Sequence, residues 1–102
     1  MSQVAIWAKI PAKPGMRDEM IKVMQAEIDH VTNNEDGTVY YILHHDPKDE
    51  DSVYFYELYT DRAASEAHGQ SDTFKAMGPL LAPFLGGKPE LKFLRPVQGK
   101  GL

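Results

Sequence analysis

The sequence predicts an α+β fold of the ferredoxin-like plan, β-α-β-β-α-β, with an antiparallel sheet carrying its helices on one face. Three observations predict it. Two β-branched and aromatic runs, Thr38–His45 and Val53–Tyr59, stand on either side of a polar turn. One helical stripe precedes that pair and a second helical region follows it. Strand-like runs open and close the chain, at Val4–Ile10 and Glu90–Val97. The 102 residues suit one domain with one core, spanning 1–102.

Val4–Ile10 is apolar and β-branched and ends at Pro11, which reads as a strand. Met16, Met20, Met24, Ile28 and Val31 then recur at helical spacing, with Ile21 and Val23 widening the stripe. Asp18 and Glu19 occupy the first turn, where the helix dipole favours them. Asn33, Asn34 and Gly37 end that helix. The two strands over 38–59 form a hairpin with a loop of moderate length. Thr60 or Asp61 can cap a short helix to about Gly69, and Ser71 a second piece over Phe74–Leu85, interrupted near Gly78-Pro79. Gly86-Gly87 stops it before the last strand, and the final residues form a loose tail.

The hairpin is apolar on both faces. Tyr40 and Ile42 lie on one side of its first strand, Val39, Tyr41 and Leu43 on the other. A strand pair with one face in water alternates apolar with polar residues. Helices cover one face only, so the other needs a cover. The expected cover is a second copy related by a two-fold axis.

Composition narrows the function. Hydrophobic residues make up 42% and charged residues 25%, ordinary for a globular domain. No apolar run approaches the roughly 20 residues of a membrane span. The N-terminus has no signal-peptide pattern, so the expected location is cytoplasmic, with no membrane partner. The absence of cysteine excludes disulfides, thiolate metal sites and cysteine nucleophiles. The net charge of −4 argues against nucleic acid as a partner. Residues 1–74 carry −8 and residues 75–102 carry +4, an asymmetry that suits attraction to a second copy as well as to an anionic ligand. Phosphate-cradling and nucleophile-elbow glycine motifs are missing.

A few residues carry possible chemistry. Glu57 shares a strand face with Phe55 and Tyr59, so its carboxylate needs partners or takes a shifted pKa. His68 is the one histidine of the second helical region; its spacing suits a helix C-terminus beside Gly69, with a general base as the functional alternative. Trp7 shares a strand face with Ala5 and Lys9 and suits a ligand pocket or a subunit interface. His44 and His45 are adjacent on a strand, so they point to opposite faces and do not share a metal ion. His30, late on the first helix, reads as structural.

The stretches KPGMRDEM, EDGTVYYILHHD and FYELYTDRAASEAHGQSDTFKAM resemble the antibiotic biosynthesis monooxygenase family of dimeric α+β barrels, over Val4 to Val97. The most specific part is Glu57, Tyr59, Asp61, Ala64 and His68, followed by Ser71 and Phe74. The family commonly has tryptophan where this chain has Tyr59. Haem-degrading relatives carry an asparagine aligned near Ala8, which disfavours that branch here. The resemblance implies a homodimer with a pocket between sheet and helices in each subunit. It implies oxygenation of a small phenol or quinol by O2 without metal or flavin cofactor. On this reading His68 is the base or proton relay and Glu57 orients it or the helix start. Tyr59, Trp7, Phe55 and Phe74 line the substrate. A non-catalytic ligand-binding dimer and an isomerase of a small metabolite are the alternatives.

Overall fold

The computed structural model describes residues 2–102. The strands are β1 (Val4–Pro11), β2 (Thr38–Asp46), β3 (Asp49–Tyr59) and β4 (Glu90–Leu94); the helices are α1 (Arg17–Asn34), α2 (Arg62–Gln70) and α3 (Asp72–Leu81). The sheet order is β2-β3-β1-β4, antiparallel throughout. This is the ferredoxin-like plan expected from the sequence.

Burial explains the arrangement. Ala8, Ala12, Met20, Met24, Val53 and Phe55 form the core where α1 meets the sheet, with Ile10, Ile28, Leu43 and Phe84 packed around it. The opposite face leaves Trp7, Tyr40 and Ile42 exposed. Both faces of the hairpin are therefore apolar, and one is uncovered in a single chain.

Several boundaries differ from expectation. The β2–β3 connection is only Pro47-Lys48, and β3 already begins at Asp49. Asp46 and Asp49 fold their carboxylates onto the backbone N–H groups of Lys48 and Asp51, which stabilises a tight turn in a polar stretch. Gly78-Pro79 does not interrupt α3; Pro79 lies within it. β4 stops at Leu94, before Pro96. The segment after α3 does more than stop a helix. Leu85 bridges to Ala12, and the N–H of Gly86 donates to the carbonyl of Pro11. A Cβ on Gly86 would strike the Ala12 carbonyl, so the close approach needs glycine.

The most consequential difference is a bulge. Thr38 pairs with Tyr59 and Tyr40 with Leu58, leaving Val39 as the extra residue. The sequence groups Val39 with Tyr41 and Leu43, but the bulge breaks that alternation and leaves Val39 exposed. In an unbroken strand Thr38 and Tyr41, three apart, would face opposite ways. The extra residue returns Thr38 to the helix side, opposite Tyr59.

Candidate functional site

A polar cluster lies between the sheet and the helices, contributed by four elements. On α1, Met20, Met24, Glu27 and Val31 form one buried stripe at spacings of four, three and four. Glu27 thus occupies a core position and is 3% exposed. On β3, Glu57 is 7% exposed and Tyr59 fully buried. The register sets Tyr41 of β2 directly opposite Glu57. On α2, His68 in the last turn is 5% exposed.

Local chemistry holds His68 in place. The Asp61 side chain caps α2 by accepting from the N–H of Ala64 at 2.8 Å. The Ser71 hydroxyl donates to the His68 carbonyl at 2.8 Å and accepts from the N–H of Phe74, closing α2 and opening α3 in one residue. α2 docks tightly on the turn after α1, where a Cβ on Gly37 would lie 2.6 Å from the Ala64 Cβ. That contact brings Glu35, at the end of α1, to His68.

The polar groups pair in an ordered way. Oε1 of Glu35 accepts from the Thr38 hydroxyl at 2.9 Å and lies 2.9 Å from Nδ1 of His68. An oxygen that accepts from Thr38 is an acceptor for the ring as well, which assigns a hydrogen to Nδ1; in the neutral ring Nε2 then has the lone pair. The Tyr41 hydroxyl donates to Oε1 of Glu27 at 2.7 Å, and the Tyr59 hydroxyl to Oε1 of Glu57 at 2.6 Å. Tyr41, Tyr59 and Phe74 surround the imidazole at ring separations of 5.1, 5.5 and 4.9 Å. Nε2 of His68 and Oε2 of Glu27, 3.9 Å apart, are buried without a hydrogen-bond partner among the described residues. So is Oε2 of Glu35.

Burial dominates the electrostatics. It raises the pKa of Glu27, against the pull of the Tyr41 hydrogen bond and His68. It raises that of Glu57 in the same way, against the Tyr59 hydrogen bond. Both tyrosines titrate far above the usual phenol range, first through burial and then through the carboxyl each one serves. They stay protonated and act as donors, not as bases.

The residues singled out from sequence divide three ways. His68, Glu57, Tyr59 and Phe74 come together. Phe55 is buried with Met20 and Met24, its ring 4.7 Å from Tyr41, and forms the floor beneath the cluster. Trp7 does not join them: 43% exposed, it lies on the far face beside Tyr56 at 5.3 Å and His44 at 6.3 Å, because it pairs with Tyr56 across the sheet. Glu57 does not orient His68 through a hydrogen bond; Glu35 does, and Glu57 is engaged with Tyr59. Glu27, Glu35, Thr38 and Tyr41 escaped the sequence reading. Glu27 had a signal, since it fills a gap in the methionine stripe.

A cleft of about 260 Å³ reaches the cluster from outside. His30, Asn34, Glu35, Thr38, Ala64 and His68 line it. Phe74, 41% exposed, covers the ring from the α3 side.

The model of the antibiotic biosynthesis monooxygenase family matches residues 3–79, which include every member of this cluster. The chain belongs to that family. Family membership supports a monooxygenase-like role in general terms. No curated protein matches the chain. Among solved structures, a candidate antibiotic biosynthesis monooxygenase from Caulobacter crescentus CB15 is 29% identical, with a TM-score of 0.90 over 95% of this chain and 92% of that one. Rv0793 from Mycobacterium tuberculosis is 24% identical, with a TM-score of 0.86 over 98% and 100% of the two chains. PA3566 from Pseudomonas aeruginosa is 23% identical, with a TM-score of 0.85 over 96% and 97%. The last two speak to the fold alone. Among the described residues no helix is long and apolar enough to cross a membrane.

Proposed function

We propose that this protein is a cofactor-independent monooxygenase that oxidises a small phenol or quinol with O2 and works as a homodimer. One observation carries the reading: a buried histidine, oriented through Nδ1 by Glu35, with Nε2 free among aromatic rings and protonated tyrosines. Ground-state O2 reacts slowly with closed-shell molecules because of its spin. The substrate must first be made electron-rich. In this mechanism Nε2 takes the proton of the substrate hydroxyl. The aryloxide passes one electron to O2, and the resulting superoxide and aryloxyl radical combine at a ring carbon that bears hydrogen. His68 returns its proton to the peroxide. Loss of that ring hydrogen with O–O cleavage leaves one oxygen as a carbonyl and the other in water. The chain supplies the base and a dry site walled by aromatic rings, with the Tyr41 and Tyr59 hydroxyls engaged by Glu27 and Glu57. Tyr59 and Phe74 position the ring over Phe55, and Glu57 holds the Tyr59 hydroxyl.

The test is oxygen uptake with a panel of quinols and naphthols in metal-free buffer. His68→Ala is expected to lower uptake by about 10²–10⁴-fold, the range of general base catalysis. Full uptake in that variant refutes the base assignment. Substrate conversion without oxygen uptake favours an isomerase, and saturable binding without turnover favours a ligand-binding dimer.

A further inference from the structure

We propose that His68 Nε2 and Glu27 Oε2 together seat a single hydroxyl oxygen of the substrate, which makes Glu27 the second group that touches the reacting atom. The inference deepens the oxygenase reading and rests on it.

The geometry is specific. The two atoms are 3.9 Å apart, too far for a direct hydrogen bond. Both are buried and unpartnered, a condition that native proteins rarely leave unanswered. Neither residue can turn to satisfy itself. Oε1 of Glu27 is held by Tyr41, and Nδ1 of His68 by Glu35. One oxygen placed about 2.8 Å from each atom subtends roughly 90° at its centre, within the spread of hydrogen-bond directions.

The chemistry of the two atoms selects the occupant. In the neutral ring Nε2 is an acceptor, because Nδ1 carries the hydrogen. Burial raises the pKa of Glu27; in its protonated form Oε1 accepts from Tyr41 and Oε2 donates. The occupant must therefore donate and accept at once. A hydroxyl oxygen, of water or of a substrate that displaces it, does both, whereas an ammonium only donates and a carboxylate only accepts. When the hydroxyl proton moves to Nε2, the oxygen left behind is negative and keeps the hydrogen bond from Glu27. No proton leaves Glu27. Tyr41 and Tyr59 pack against the imidazole that takes the proton.

The test uses the full chain under anaerobic conditions, with 1-naphthol and naphthalene as probes. 1-Naphthol should bind about tenfold more tightly, the worth of one buried hydrogen bond, and should shift the ¹⁵N resonance of His68 Nε2. Glu27→Leu should erase that preference and leave naphthalene affinity unchanged. Glu27→Gln, with its carbonyl to Tyr41 and its amide to the hydroxyl, should restore it. In the native chain 1-naphthol affinity should fall as pH rises through the folded pKa of Glu27 and its donor hydrogen is lost, and in Glu27→Gln it should not. His68, His30, Glu35, Glu57, Tyr41 and Tyr59 also face this region and are common to both proteins, so the difference between the two profiles reports Glu27. Equal affinity for the two probes, a preference that survives Glu27→Leu, or an unmoved His68 resonance overturns the proposal. If Glu27→Leu does not fold, the resonance and the two pH profiles decide. Hydroxyl preference without oxygen uptake refutes the oxygenase reading and leaves the seat standing. Undiminished uptake in Glu27→Leu does the reverse.

Discussion

Single residues set the proton chemistry here. Glu57 shows the balance between burial and partnering. Its pKa is raised in the folded chain by burial, more than the Tyr59 hydrogen bond lowers it. The folded state therefore holds its proton to higher pH than the unfolded chain does. The stability this contributes is full below the ordinary value of 4.5 and is lost as pH rises through the folded pKa. Glu57→Gln keeps an acceptor for the Tyr59 hydroxyl and removes the titration. Melting curves should show the variant at least as stable as the native chain at neutral pH, with a flatter decline in Tm between acid and neutral pH. A variant less stable at pH 7, with an unchanged slope, contradicts the burial account. Glu27 has the same sign of shift and stays in place in both proteins, so the difference reports Glu57 together with its coupling to Glu27.

Elements set the distances between those residues. α2 brings His68 to Glu35 only because it sits against the 35–38 turn with no side chain on Gly37. Gly37→Ala would set one methyl against the Ala64 methyl and cost about 1–3 kcal/mol through overpacking. Its backbone is not in the left-handed region, so the cost is steric and not conformational. The double variant Gly37→Ala with Ala64→Gly should recover most of that loss in denaturant melts, apart from about 1 kcal/mol for glycine in a helix. Additive losses in the pair would refute the close-contact account. The Val39 bulge acts at the same scale. It carries the Thr38 hydroxyl to the helix side, where it reaches Glu35. Neither the bulge nor the tight Pro47-Lys48 turn is legible in the alternation of residues. Both depend on the partner strand, which decides where an extra residue is tolerated.

At the scale of the whole molecule, the uncovered sheet face calls for a partner. Trp7, Tyr40 and Ile42 are exposed side by side with Tyr56, and a second copy is the cover argued above. Ile42→Glu points away from the His68 cluster and should dissociate the proposed dimer without unfolding the chain. Sedimentation velocity should show the native protein at twice the chain mass and the variant at the chain mass. A native chain that sediments as a monomer at micromolar concentration would sink the dimer.

By itself the sequence determined the element order, the two-sided apolar hairpin, the family and the segment from Glu57 to Phe74. These follow from local periodicity, caps and a contiguous motif, which need no knowledge of what folds against what. Only the tertiary structure decided who partners whom. It gave His68 to Glu35 instead of Glu57, added Glu27 and Tyr41 to the site, and sent Trp7 to the other face. The physical reason is that these pairings join residues far apart in the chain. Glu35 and His68 are 33 residues apart, and Glu27 and Tyr41 are 14. Strand register, one bulge and one glycine contact set such distances, and no local pattern encodes them.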